Sequence, residues 1–336
     1  MWFKFVVVVA CCFFDFKLLI KRKSYKNYNI FSKKCKNSKT KLTITYRSTK
    51  PMSNDITGIV PVSTLPARTP QKDDSILIAD QYRTSPEGLE GYLSPNRPDV
   101  GRNLVAVLGA ANAAAAFAAL RTRADAGNFN GLRLGDYIDV SSMTIDGSAI
   151  SNSNQRLRFE IAGFDTYLNV GNTPTTSHHI LMISKNCVLQ KAMNSTATNA
   201  GGYAASELCA YLNNQVKTGL VNAIGITPKT VHRLLDTKGD WAWLAETVFI
   251  PSEVEVFGYQ AWSNDRGYSS GNSVQWPLFS EFPQRRIANW NGSRWWWWEA
   301  SPRTDDSAGF CGCGGGYAGY YSADRSNAGV RFAFLV

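Results

Sequence analysis

Histidine is scarce in this sequence: His178, His179 and His232 are all there is in 336 residues. His178 and His179 are adjacent, so on a strand they face opposite ways and cannot easily share one metal ion. The seven cysteines are an odd set: Cys11, Cys12, Cys35, Cys187, Cys209, Cys311 and Cys313. Cys187 and Cys209 follow apolar patterns and read as buried thiols. Cys311 and Cys313 form a C-x-C with no second pair or nearby histidine to complete a zinc site, and no disulfide framework follows. The chain also lacks a P-loop, an H-E-x-x-H and a G-x-S-x-G. Gly314-Gly315-Gly316 is no phosphate loop, because the following Lys-Ser/Thr is missing. No metal, cofactor or catalytic set is therefore expected. Long apolar runs are missing too: Phe5–Ala10 is short, and reading on to Ile20 takes in Asp15 and Lys17, which argues against a spanning helix.

Basic charge is missing from most of the chain despite a formal net charge of +10. Residues 1–51 hold 13 of the 36 Lys and Arg and only one acid, Asp15. Residues 52–336 keep 23 basic and 25 acidic residues, a net of about −2. No basic stripe is left to neutralise phosphates, so nucleic-acid binding is not expected.

What is present divides into three parts. In 1–51, Val8-Val9-Ala10-Cys11 has the pattern of a lipoprotein signal box, and Lys21-Arg22-Lys23 opens a Lys/Asn/Ser/Tyr-rich tract. Two readings stand: a leader anchored to a membrane through Cys11, or a frame extended upstream of a start at Met52. Residues 52–100, rich in Pro, Ser, Thr and Asp, read as an extended arm. An alanine-rich run over 103–126 predicts a helix, with Asn103 as its cap and Gly127 as its stop. Its small-residue face suits packing on a partner subunit or on its own domain, so the first two parts together span 1–51 and 52–128.

From Gly131 the pattern turns to strands. Leu132, Leu134, Tyr137, Ile138 and Val140 mark one, Leu157–Ile161 alternates with period two, and His179–Ile183 is a buried-strand run. Helices are predicted at Ala204–Val216 and, after Pro228, at Lys229–Leu235. Glu253 and Glu255 are paired carboxylates that could do acid–base work, bind calcium or cap a turn. The capping role is favoured, since no third acid is near. The body, 129–336, reads as α+β.

The last forty residues are unusual. Trp295–Trp298 are four large rings in a row, and strand alternation would put two in the core and two outward or against a neighbouring loop. The stretch after them is rich in Tyr, Ser, Gly, Asp and Arg, a composition that gives large contacts and adaptable polar groups at low entropy cost. From Ala300 to Val336 there is no Trp, Lys, Gln, Glu or Met. Those five types have no codon ending in C, which is what repeated substitution within AAC codons would leave.

The order Trp-Trp-x-Ala-Ser-Pro at 297–302, Phe310-Cys311, then Gly-Val-Arg-Phe-Ala-Phe at 329–334 resembles the variable proteins of diversity-generating retroelements. Tyr203–Leu208 with Tyr211-Leu212-Asn213, the turn Val248–Gly258 and the entry strand Gly131–Ile138 are similar to segments of that group in the same order. The resemblance implies a C-type lectin fold of the formylglycine-generating-enzyme branch. It implies a non-enzymatic protein whose terminal region, about 294–336, is diversified at Asn codons while Trp295–Trp298 stay fixed. The ligand contacts it implies are Arg303, Thr304, Asp305, Asp306, Ser307, Gly309, Gly312, Gly314, Tyr317, Gly319, Tyr320, Tyr321, Asp324, Arg325 and Ser326. The ligand would be a protein or a glycan, and the setting a cell surface or a phage tail. The competing reading is an oxidase of the formylglycine-generating type, with Cys311 and Cys313 as its thiols.

Overall fold

The computed structural model describes residues 101–336 and, before them, the strands Trp2–Val9 (β1) and Thr40–Arg47 (β2). The chain divides into two units, Met1–Leu93 and Ser94–Val336. In the first, β1 and β2 pair antiparallel, with Trp2 opposite Arg47 and Val9 opposite Thr40. Cys11, the start at Met52 and the arm over 52–100 lie outside the described residues.

In the second unit the alanine-rich run is two helices, α1 (Leu104–Val107) and α2 (Ala113–Asp125). Asn103 caps the first, as expected, but Gly109 at φ +62° ends that turn and Asn112 caps the second through Ala115 N. α2 buries Ala116, Phe117, Leu120 and Ala124, and the Phe117 ring lies 6.0 Å from Phe334. Its apolar face therefore packs on the core of its own unit.

The strands that follow are β3 (Tyr137–Asp139), β4 (Ser142–Ile145), β5 (Ser148–Ser151), β6 (Arg158–Phe164), β7 (Ile180–Ser184) and β8 (Leu189–Gln190). Helix α3 (Glu207–Tyr211) runs through a π turn, Leu212–Val216, into α4 (Lys217–Ile224). Ser206 caps α3, and the Asn213 amide bonds Cys209 O, Val248 O and Thr247 N, knitting the helix to the strand behind it. Then come β9 (Val231–Asp236), β10 (Trp241–Glu246) and β11 (Val248–Phe249). The helix expected at Lys229–Leu235 is instead β9. Val231, Arg233 and Leu235 alternate inward, and Arg233 is held between Glu246 and Glu255 at 2.7 Å each. A strand period buries all three, whereas a helix would spread them around its axis.

Short helices α5 (Glu253–Phe257), α6 (Arg266–Ser269) and α7 (Pro277–Glu281) precede β12 (Ala288–Trp290), β13 (Ser293–Trp295), β14 (Trp297–Pro302), β15 (Gly309–Cys313), β16 (Ala318–Ser322), β17 (Gly329–Val330) and β18 (Ala333–Leu335). Two five-stranded sheets result, ordered β11-β18-β7-β6-β3 and β16-β15-β14-β17-β8. The first is antiparallel throughout. The described unit is a mixed α+β fold in which sheet outweighs helix.

Both faces of the first sheet are covered, which is why β7 is apolar at every position but its last. Ile180 and Met182 face one core with Phe117, Phe159 and Phe334, and Leu181 and Ile183 face a second with Phe249, Trp276 and Phe279. The second sheet divides the same way. Trp298 enters the first core and Trp297 the second, both wholly buried. Alternation along β14 therefore holds, but both of its faces are interior. The partly exposed pair are Trp295 and Trp296, on the approach to the strand.

Candidate ligand-binding surface

β14, β15 and β16 form the outer part of the second sheet, with β16 at its edge. β15 and β16 are a hairpin, registered from Gly309 opposite Ser322 to Cys313 opposite Ala318. Residues directly opposite share a face. Phe310, Gly312, Gly319 and Tyr321 thus lie on one side, and Cys311, Cys313 and Tyr320 on the other.

On the first side Tyr321 stacks on Trp296, ring centres 3.9 Å apart. It lies over glycines: a Cβ at Gly312 would stand 3.1 Å from the Tyr321 ring and 2.9 Å from Trp297 O, and one at Gly314 2.9 Å from the Tyr321 hydroxyl. The Trp297 carbonyl is backbone and cannot yield, so Gly312, a buried position, has no room for a contacting side chain. This corrects its place among the expected contacts. Gly319 and Gly309 have ordinary van der Waals room, although Gly309 is itself buried. At the hairpin tip, Gly315 (φ +74°) and Gly316 (φ +105°) make the turn beside Arg294, and Tyr317 is 64% exposed.

On the second side the loop over 303–308 meets Tyr320. The Arg303 guanidinium lies 3.5 Å from the Tyr320 ring centre and 5.6 Å from that of Trp262. Asp305 pairs with its Nε at 2.6 Å and Asp306 with its Nη1 at 3.4 Å. The Asp305 carboxyl is held below its usual range, first by the hydrogen bond from Arg303. Thr304, Asp305 and Ser307 are exposed. The loop is fastened from behind: the buried Asn199 donates from Nδ2 to Arg303 O, Asp306 O and Gly309 O, and its own N donates to Ser307 O. Lys238 Nζ donates to Arg303 O and Thr304 O. Beyond β16, Ser322, Asp324, Arg325, Ser326 and Asn327 line an open recess of about 640 Å³.

Trp262, which sequence reasoning passed over, is placed by the capping-box helix. Ser252 and Glu255 cap α5 reciprocally, which makes Glu255 structural; its carboxylate also accepts from Tyr167 Oη. Glu253 is wholly buried, and its carboxylate accepts from Ala261 N, Trp262 N, Ser263 N and Ser263 Oγ. Four donors converge on one side chain and fix the Trp262 loop. The available signal was a tryptophan standing in an otherwise Gly/Asn/Ser-rich stretch.

Neither candidate for other chemistry assembles. Cys311 and Cys313 are buried; burial drives the Cys311 thiol well above its usual range and pushes Cys313 up to about 12. His179 is buried, its Nε2 accepting from Tyr167 N, while His178 points outward to Asp165. Among the described residues no group of three or more His, Cys, Asp or Glu could hold a metal ion, and no helix is long and apolar enough to cross a membrane.

Residues 177–336 match a family model described as a domain of unknown function, DUF6273. The DUF6273 stretch takes in Asn199, Lys238, the Trp262 loop and the whole of β14–β18, and so every residue named on this surface. No curated protein and no solved structure matches the chain.

Proposed function

We propose that this protein is a ligand-binding protein that presents a diversified surface on a C-type-lectin-like scaffold of the formylglycine-generating-enzyme type, for recognition at a cell surface or by a phage tail. One observation carries the reading. Of the expected contact positions only Gly309 and Gly312 are buried, while of the aromatic residues expected to stay fixed Trp297, Trp298, Phe310, Phe332 and Phe334 have no exposure at all and Trp295 and Trp296 are partly exposed. Interleaved positions thus sort into a rigid interior and an accessible exterior. That is the division expected if the exterior changes while the interior is kept. The motifs behind the resemblance also have definite structural work: Ser206 as the cap of α3, Asn213 in the π turn that follows it, and the Ser252–Glu255 capping box.

The oxidase alternative asks for accessible, ionisable thiols. Burial of Cys311 and Cys313 weighs against it, because the thiolate is the reactive form. Sequencing of the neighbouring DNA tests the proposal. A near-copy of the 294–336 coding stretch, differing mainly at adenines and lying beside a reverse-transcriptase gene, is expected. An intact genomic neighbourhood without such a copy would overturn the diversification part of the proposal.

A further inference from the structure

The contact between Arg303, Tyr320 and Trp262 has the make-up of a binding site whose occupant belongs to the same chain. Two aromatic rings stand 4.6 Å apart at 63°, so they make an angled notch and not a flat stack. Into it goes a guanidinium, with one ring centre at 3.5 Å and the other at 5.6 Å. Its nitrogens meet carboxylates, Nε and Nη2 that of Asp305 and Nη1 that of Asp306. Aromatic faces on one side and carboxylates on the other are the general means by which proteins hold organic cations. The Arg303 side chain is only 16% exposed, whereas Trp262 and Tyr320 remain 37% and 38% exposed.

Trp262 and Asp306 are held by groups other than the occupant, whereas the exposed Asp305 carboxylate is held by Arg303 itself. Trp262 is fixed by its N–H to the buried Glu253 carboxylate and by its carbonyl, which accepts from Thr304 N. Tyr320 sits in β16, in register with Cys311. Asp306 Oδ1 accepts from Ala308 N, which turns its other oxygen toward position 303. Trp262 also lies outside the 294–336 region, so the notch joins one constant wall to one from the terminal hairpin.

We propose that Trp262 and Tyr320, together with Asp305 and Asp306, form a receptor for a guanidinium or ammonium group of a protein ligand, filled from within by Arg303 in this sequence and open where position 303 is small. The inference rests on the diversified-surface reading for the expectation that position 303 varies and that Trp262 does not; Asp305, Asp306 and Tyr320 are themselves positions that reading expects to vary, so the receptor belongs to sequences that keep them. It makes the ligand class a protein presenting an Arg or Lys side chain, and it makes Trp262 a constant contact.

The test uses a small probe, so its failure leaves the diversification proposal standing on the DNA evidence. The full chain, Arg303→Ala and, as a second opened form, Arg303→Ser are titrated with N-acetylarginine amide. The tryptophan indole N–H signals are followed by NMR, that of Trp262 being assigned by its loss in Trp262→Phe. Unchanged Trp276, Trp297 and Trp298 signals report the intact fold. Expected is a saturable shift of the Trp262 signal in the opened forms, half-saturating at a concentration about tenfold or more below that for the unaltered protein. The neutral N-acetylcitrulline amide should leave it unmoved, and Tyr320→Ala added to Arg303→Ala should abolish it. No saturable shift in either opened form, or an equal response to citrulline, overturns the proposal.

Discussion

Trp297→Ala and Tyr320→Ala should part widely in their cost, although both remove a large ring from the second sheet. Trp297 is wholly buried, stacks 6.4 Å from Phe279, lies beneath the Arg331 guanidinium at 5.3 Å and donates from Nε1 to Arg286 O at 3.0 Å. A buried Trp side chain withdraws about 200 Å² from water, which at about 25 cal/mol per Å² is about 5 kcal/mol. Measured truncations of buried rings centre on about 3–5 kcal/mol. Arg331, also wholly buried, would lose one of the rings that flank it. Tyr320 is 38% exposed and keeps only its edge on Trp262 and its face on Arg303. Those contacts sum to about 1 kcal/mol at a solvent-exposed site. For a unit of this size 1 kcal/mol moves the melting temperature by about 2–4 °C. Trp297→Ala should therefore lower Tm by about 10 °C, and Tyr320→Ala by at most about 4 °C. Thermal unfolding followed by circular dichroism measures both. Equal losses, or a larger one at Tyr320, would refute the separation of interior from exterior.

Three further outcomes are expected. Asp265 is buried, its Oδ2 has no protein partner, and burial, followed by the Glu255 charge, raises its pKa to about 6. The unfolded chain then holds fewer protons than the folded one between about pH 4 and 6, so this contribution is full at low pH and is lost as pH rises through about 6, up to about 3 kcal/mol. Glu246, pushed to about 7 mainly by burial, adds with the same sign. Asp265→Asn should flatten the fall in urea midpoint between about pH 4 and pH 6, and an unaltered slope would contradict the assignment. Cys187, Cys209, Cys311 and Cys313 should resist iodoacetamide in the native protein and react after unfolding, as read by peptide mass spectrometry; rapid native alkylation of Cys311 or Cys313 would reopen the oxidase reading. Glu253→Gln should cost about 2–4 kcal/mol, since an amide NH₂ would face backbone donors where a carboxylate accepts. It should also change the Trp262 indole signal, and a silent Trp262 would mean that Glu253 does not hold the loop.

The elements legible in the sequence were those whose burial pattern is local. β7 reads as an interior strand because both its faces are covered, and α2 shows in its alanine content. The Ser252–Glu255 capping box is visible from spacing alone. β9 was misread because its decisive residue, Arg233, is charged: it points inward only because Glu246 and Glu255 meet it there, and no window around Lys229–Leu235 contains them. Gly312 failed for a related reason, since the Trp297 carbonyl that blocks it lies on a neighbouring strand. Trp262 joined the surface through four hydrogen bonds to Glu253, a side chain that sequence alone could place only at a turn. What stayed hidden was in each case a partner distant along the chain.

Asn199 holds the 303–309 loop through main-chain atoms alone: three carbonyls and, from its own amide, a fourth at Ser307. Every amino acid carries that carbonyl. The grip is therefore blind to side-chain identity, and a mutation at 303, 304, 305 or 307 changes what the loop offers to solvent without loosening the clasp that sets its path. Tolerance of this kind is usually credited to an absence of contacts. Here it comes from firm contacts made to the one part of the residue that mutation never alters.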